Sequence, residues 1–154
     1  MNNEITVAMK KLSDDAVIPT RGTAGAAGYD LTAVKVVVNW DKDDGTLVTC
    51  HSGLAVAIPE GHVGLLFPRS SVCKTGLQLT NGVGVVDSDF RGEITAVFRC
   101  VGGDGSGKPD QSYKPGDRFA QLIVIPVPSL AFALSDKPLP ETARGTGGYG
   151  STGA

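Results

Sequence analysis

The chain has 154 residues, 41% of them hydrophobic, which suits one domain with a real core rather than two. Its 14 Lys and Arg stand against 16 Asp and Glu, a net charge of −2, and this argues against a nucleic-acid coat, which needs a basic excess. A nucleotide is not excluded, because a few phosphates need only a few local cations and backbone N–H groups. Three cysteines, Cys50, Cys73 and Cys100, form no C-x-x-C pair, and with only His51 and His62 beside them a zinc site is not expected. No apolar run approaches the roughly eighteen residues of a membrane span, and Met1–Glu4 lacks a signal-peptide pattern, so a soluble, cytoplasmic protein without membrane contact is expected.

Glycine (21) and proline (9) punctuate the chain too often for long helices. Strand-length, β-branched runs lie between the breaks. In chain order they are Glu4–Met9, Val34–Val38, Thr46–Thr49, Leu54–Ile58, His62–Phe67, Leu77–Leu79, Val83–Val86, Glu93–Phe98, Gln121–Val127 and Leu130–Leu134. One short helix is predicted over Ser70–Thr75, with Ser70 as N-cap and Gly76 as the left-handed residue that ends it. Asn39–Gly45 and Gly102–Ser112 read as surface loops. Many short strands with Gly/Pro turns predict an all-β sandwich or barrel over residues 1–136, with residues 137–154 as a flexible C-terminal arm.

Five polar, glycine-bearing segments lie at strand ends. They are Ala27-Gly28-Tyr29-Asp30-Leu31-Thr32-Ala33, Pro68-Arg69-Ser70-Ser71, Gly82 to Glu93 with Val85-Val86-Asp87-Ser88-Asp89-Phe90-Arg91-Gly92 inside it, Gly116-Asp117-Arg118-Phe119-Ala120-Gln121-Leu122, and Arg144-Gly145-Thr146-Gly147-Gly148-Tyr149-Gly150-Ser151-Thr152-Gly153. Each alone reads as an ordinary turn or surface charge. Jointly, in this order and over nearly the whole chain, they resemble the five motifs of the trimeric dUTPases.

That resemblance implies a distorted jelly-roll (β-clip) fold with one short helix, assembled as a homotrimer whose three sites are shared between subunits. The implied reaction is hydrolysis of dUTP to dUMP and pyrophosphate, which limits uracil incorporation into DNA and supplies dUMP for thymidylate synthesis. Asp87 matches the carboxylate that activates water for attack on the α-phosphorus, and after the apolar run Val83–Val86 it is expected to be partly desolvated. Gln121 matches a residue at the α-phosphate and catalytic water. Asp30 matches the aspartate that reaches Mg²⁺ through a water. Arg69, Ser70 and Ser71 match the phosphate cradle, where the family more often has glycine at the position of Ser71.

Base and sugar recognition fall by the same resemblance to the hairpin Leu77–Glu93: Asn81, the backbone of Gly84, Val85 and Val86, Phe90, and Thr95 on the next strand. Phe90 stands where the family usually has tyrosine. Arg144 matches the γ-phosphate arginine and Tyr149 the aromatic, commonly phenylalanine, that stacks on uracil; Gly150, Ser151 and Thr152 complete the closing arm. Asp117 and Arg118 are expected to be structural, in an ion pair at a subunit contact. Two other readings compete: a regulator with this fold that acts by binding a partner protein, and a dCTP deaminase-like relative. The intact Asp30, Asp87, Arg144 and Tyr149 argue against the first, and the Asp87-centred motif with the complete tail argues against the second.

Overall fold

The computed structural model describes residues 4–41, 45–101 and 112–148. Among these are nine strands: β1 (Ala8–Lys11), β2 (Tyr29–Thr32), β3 (Lys35–Asp41), β4 (Gly45–Ala57), β5 (His62–Pro68), β6 (Leu77–Leu79), β7 (Gly84–Val86), β8 (Glu93–Cys100) and β9 (Arg118–Pro126). A single 3₁₀ turn, Ser70–Lys74, follows β5. All pairings are antiparallel. One sheet runs β1-β4-β8-β6, with β3 also on β4, and the other runs β2-β9-β5-β7.

The sheets face each other across one apolar core. Alternate residues of β4 and β8 point inward, and Val48, Cys50, Ile94 and Phe98 meet Leu31, Leu66, Phe119 and Leu122 of the opposite sheet. Phe98 and Phe119 are fully enclosed, and burial of each aromatic side chain stabilises the fold by about 1.5–3 kcal/mol.

Two runs expected as separate strands, Thr46–Thr49 and Leu54–Ile58, are one strand. Its register against β8 shifts between His51 and Ala55, and Gly53 sits there at φ +66°. A Cβ on Gly53 would come within 3.0 Å of Val34 and 3.2 Å of Ala16, so glycine is needed both for the conformation and for the space. The Ser52-Gly53 break in the sequence is a bulge, not an end. The strands β3 and β4 likewise continue to Asp41 and Gly45, into the stretch read as a loop. Residues 42–44 and 102–111 of the two expected loops lie outside the described residues.

Two further differences concern strands. Tyr29–Thr32 pairs with β9 although only Leu31 of the four is buried. Leu130–Leu134 forms no strand; Leu130, Phe132 and Leu134 are 68%, 95% and 102% exposed. The short helix is 3₁₀ rather than α, its N-cap is Arg69 rather than Ser70, and no side chain caps it. Gly76 does adopt φ +64° beyond its end.

From β5 to β8 the chain changes sheet three times in succession, and a fourth time on to β9. The β5–β6 crossover carries Arg69, Ser70 and Ser71, the β6–β7 crossover carries Asn81, and the β7–β8 crossover carries Asp87 and Phe90. The topology thus places the polar motifs on connections anchored at both ends by paired strands.

Candidate functional site

Two separate groups of the expected residues assemble within the chain. The first lies where β2, β5 and β9 meet. Asp30 is opposite Gln121 in the β2–β9 ladder, and Gln121 is opposite Phe67 in the β5–β9 ladder. Arg69 Nε donates to Asp30 Oδ1 at 2.9 Å, and Arg118 Nη1 donates to Asp30 Oδ2 at 2.9 Å. The Asp30 side chain is only 12% exposed, so two guanidinium partners offset the cost of taking its charge out of water. Arg118 therefore has an ion-pair partner, Asp30, within its own chain. Asp117 closes the preceding turn, its Oδ2 accepting the Lys114 N–H at 2.9 Å.

Gln121 Nε2 donates to the Pro68 carbonyl at 3.2 Å, which holds its amide beside the Arg69 crossover. Gly28 makes that position possible: a Cβ there would overlap Gln121 Oε1 and come within 3.0 Å of Gln121 Cβ.

The second group lines a cavity of about 300 Å³ between β7 and β8. Asn81, Gly84, Val85, Val86, Asp87, Phe90 and Thr95 all border it. As an edge strand, β7 keeps outward-facing backbone N–H and C=O groups without a strand partner among the described residues. These form a donor–acceptor edge beside the cavity. Gly84 packs directly on Leu66, since a Cβ would lie 2.9 Å from Leu66 Cβ. Gly92 gives the Phe90 ring its seat; a Cβ there would lie 2.5 Å from Cζ.

The loop carrying Asp87 is fastened by residues that sequence reasoning did not single out. Arg91 Nη1 donates to the Ser88 and Phe90 carbonyls, both at 2.7 Å. Glu93, which also borders the cavity, accepts the Gly53 N–H at 2.7 Å and meets His51 Nδ1 at 3.0 Å. Glu93 thereby ties the end of the loop to the β4 bulge. Its only signal in the sequence is the Gly92-Glu93 pair closing the motif, and its partners are some forty residues away.

Asp87 itself is exposed in the single chain, so the partial desolvation expected from Val83–Val86 is not present there. Nor do the two groups form one site. Val86 stands opposite Gly64 in the β5–β7 ladder, whereas Arg69 follows the far end of β5. At about 3.3 Å per residue, Asp87 and Arg69 are on the order of 15–20 Å apart along the sheet.

The chain is exposed from Ile125, near the end of β9, through Thr146, which includes the first part of the arm. A turn forms at 142–147, where Gly145 N–H reaches the Thr142 carbonyl at 3.0 Å and Arg144 Nε donates to the Gly147 carbonyl at 2.9 Å. Tyr149, Gly150, Ser151 and Thr152 lie outside the described residues. A larger groove of about 660 Å³, bordered by Ile5, Val7, Met9, Tyr29, Leu122 and Val124, contains none of the expected site residues.

Residues 14–153 match the dUTPase family model. The chain belongs to the dUTPase family. A deoxyuridine 5'-triphosphate nucleotidohydrolase of Desulfitobacterium hafniense is 42% identical over 156 residues, covering 98% of this chain and 98% of the relative. The protein of the same name from Paramecium bursaria Chlorella virus 1 is 38% identical, covering 96% and 98%. Among solved structures, a dUTPase of Staphylococcus bacteriophage 80alpha with dUpNHpp superposes with a TM-score of 0.79 at 25% identity, covering 97% of this chain and 99% of that one. A dUTPase from phage phi11 of S. aureus, described with a structural Mg(II) ion, has a TM-score of 0.69 at 26% identity, covering 86% and 98%. The all-β fold and the recognition of the five motifs agree with this membership.

Proposed function

We propose that the chain hydrolyses dUTP to dUMP and pyrophosphate at sites assembled from different copies of itself in a homotrimer. The observation that carries this reading is the separation of the two residue groups. Asp87 with its nucleoside-sized cavity lies at one end of β5, and Arg69 with Asp30 and Gln121 at the other. Neither is a complete site. Joined across a subunit interface, the first supplies nucleoside recognition and a base, and the second supplies the phosphate cradle. The segment between β9 and the arm supports the same assembly, since Leu130, Phe132 and Leu134 bury nothing on their own chain and need the surface of a neighbour.

In the joined site the free edge of β7 reads the uracil donor–acceptor pattern, with Asn81 beside it. A mismatched base leaves a buried polar group unpaired, which makes such discrimination steep. The Phe90 ring underlies the deoxyribose and leaves no room for a 2′-hydroxyl. Thr95 borders the same cavity from β8. Arg69, Ser70 and Ser71 hold the phosphates, and Gln121, fixed to Pro68, orients the α-phosphate and the attacking water. Asp87 takes the proton from that water as it attacks the α-phosphorus, and the bond to the bridging oxygen of the leaving pyrophosphate breaks. Closure by a neighbour excludes bulk water from the Asp87 carboxylate, which a single chain leaves exposed. The arm, with Arg144 on the γ-phosphate, Tyr149 on the base and Gly150, Ser151 and Thr152 over the triphosphate, completes the enclosure.

Asp30 fits an outer role toward Mg²⁺. Each of its oxygens accepts one guanidinium N–H, yet a carboxylate offers about four acceptor sites, leaving capacity for a water of the ion's shell. Mg²⁺ held by Asp30 through a water would supply charge neutralisation for the leaving group. A cytoplasmic location accords with this chemistry, and no helix among the described residues is long and apolar enough to cross a membrane.

The test is pyrophosphate release by the purified protein from dUTP, dCTP, dTTP and UTP, with and without Mg²⁺. Turnover confined to dUTP and dependent on Mg²⁺ is expected. Ammonia release from dCTP, or silence on all four, would overturn the reading.

A further inference from the structure

The loop that carries Asp87 and Phe90 joins β8 at Glu93, where the β4–β8 ladder ends. Just there β4 bulges: the ladder breaks after His51–Thr95 and resumes only at Ala55–Glu93. A bulge strips backbone groups of their ladder partners, and those groups must be satisfied in another way. Ser52, fully enclosed, donates its hydroxyl to the Ile94 carbonyl at 2.6 Å and accepts the Leu54 N–H at 3.2 Å. The Gly53 N–H goes to Glu93 Oε1 at 2.7 Å, and Glu93 Oε2 meets His51 Nδ1 at 3.0 Å. A carboxylate only accepts, so the hydrogen of the second contact lies on Nδ1.

The sheet itself is held without these contacts. From Leu47–Arg99 to His51–Thr95 the two strands pair continuously, and Ile94, Ala96 and Phe98 are buried in the core. What the Glu93 anchors add falls on the loop. Gly92, the residue before Glu93, lies so close under the Phe90 ring that a Cβ there would stand 2.5 Å from Cζ. Phe90 is 43% exposed, so the core does not grip its ring, and Arg91 holds only its carbonyl. The ring therefore takes its place from Gly92, and Gly92 takes its place from Glu93. Glu93 borders the nucleoside cavity, yet both of its oxygens are engaged on β4.

We infer that Glu93 and His51 are positioning residues for sugar selection. Anchored to His51 and Gly53, Glu93 holds Gly92 beneath Phe90 and keeps the ring where a ribose 2′-hydroxyl does not fit. The inference rests on the role given to Phe90 in the dUTPase reading, and it asks neither Glu93 nor His51 to touch the nucleotide.

The experiment compares kcat/KM for dUTP with kcat/KM for UTP in the full-length protein and in Glu93→Ala, Glu93→Gln, His51→Ala and His51→Asn. Loss of folded protein lowers both rates together and leaves their ratio unmoved, so the ratio reads discrimination alone. It is expected to fall roughly tenfold in Glu93→Ala, the scale of a lost charge-assisted hydrogen bond. In His51→Ala, which keeps the Gly53 anchor, a roughly threefold fall is expected. Glu93→Gln should restore the ratio, because its carbonyl accepts the Gly53 N–H and its amide donates to Nδ1 in the other tautomer of the ring. His51→Asn should restore it as well, with the amide nitrogen in the place of Nδ1. In a Phe90→Ala background, where the ring is gone, Glu93→Ala should shift the ratio by less than about twofold. An unchanged ratio in both alanine variants, or a tenfold fall that persists without the Phe90 ring, would overturn the inference. Calorimetric titration with dUMP and with UMP separates it from the reaction. A wild type that prefers dUMP, loses the preference in Glu93→Ala and leaves dUTP intact would refute hydrolysis while the positioning role stands. A wild type that binds dUMP and UMP alike would overturn the positioning role.

Discussion

Gly28→Ala tests whether the placement of Gln121 matters to the chemistry. The added Cβ would overlap Gln121 Oε1 and press on Gln121 Cβ and Cδ at 3.0 and 3.1 Å. Gly28 is buried at the start of β2 and its φ is not positive, so alanine meets no backbone strain and the clash falls on one side chain. Relief requires Gln121 to swing away, breaking its bond to the Pro68 carbonyl. The lost bond costs about 0.5–1.5 kcal/mol, and a forced side-chain angle costs a similar 0.5–1.5 kcal/mol. If this 1–3 kcal/mol falls on the transition state, kcat drops by about 5–150-fold with little change in KM. Steady-state kinetics on dUTP is the assay. Gly25→Ala is the control, because a Cβ there meets nothing within 4 Å. The decisive arm adds Gly28→Ala to Gln121→Ala, where the Oε1 and Cδ contacts are gone and only the 3.0 Å approach to Cβ remains, so the second substitution should have much less further effect. A large loss in that background, or normal kcat in Gly28→Ala alone, would refute the reasoning.

Asp87→Asn is expected to keep nucleotide affinity while kcat falls by about 10²–10⁴-fold, the usual weight of a general base; near-normal turnover would remove Asp87 from the mechanism. Truncation before Arg144 should leave a folded oligomer with very low kcat, seen by sizing chromatography and a dUTP assay, and full activity would discard the closing arm. Burial, then Asp117, pushes the Cys50 thiol from 9.0 up to about 12. The folded state therefore holds a proton that the unfolded chain releases, so this contribution to stability is intact below about pH 9 and is lost as pH rises toward 12. Urea unfolding between pH 8 and 10.5 should show a falling midpoint that is flatter in Cys50→Ala; identical slopes would exclude the thiol as the cause.

The fold was legible where turns are written in glycine and proline, as at Pro59-Glu60-Gly61 before β5 and Gly76 after the 3₁₀ turn. It was misread where a local pattern depends on a distant partner. Leu130, Phe132 and Leu134 alternate as a strand does, but periodicity says only that a face needs cover, not which chain supplies it. Tyr29–Thr32 failed in the opposite sense, being too short and polar to announce a strand that β9 stabilises. At Gly53 a bulge passed for a break because both put glycine at positive φ.

The site was legible as a set of motifs and not as geometry. Seven of its residues do gather around one cavity, and Asp30, Arg69 and Gln121 do converge. The Arg118–Asp30 pair, 88 residues apart in sequence, was not foreseeable from spacing. Neither was the Glu93 anchor on the β4 bulge, because it is set by the register of β4 on β8.

Complementation between inactive variants tests the shared site most directly. Arg69→Ala disables the phosphate half and Asp87→Asn the nucleoside half, each in every subunit. Unfolding the two together in equal amounts and refolding them as mixed oligomers should restore about a quarter of wild-type dUTP hydrolysis, since each half-site is intact on half the chains and the two assort independently between subunits. No recovery above the separate variants would mean that both halves act within one chain, and would contradict the account.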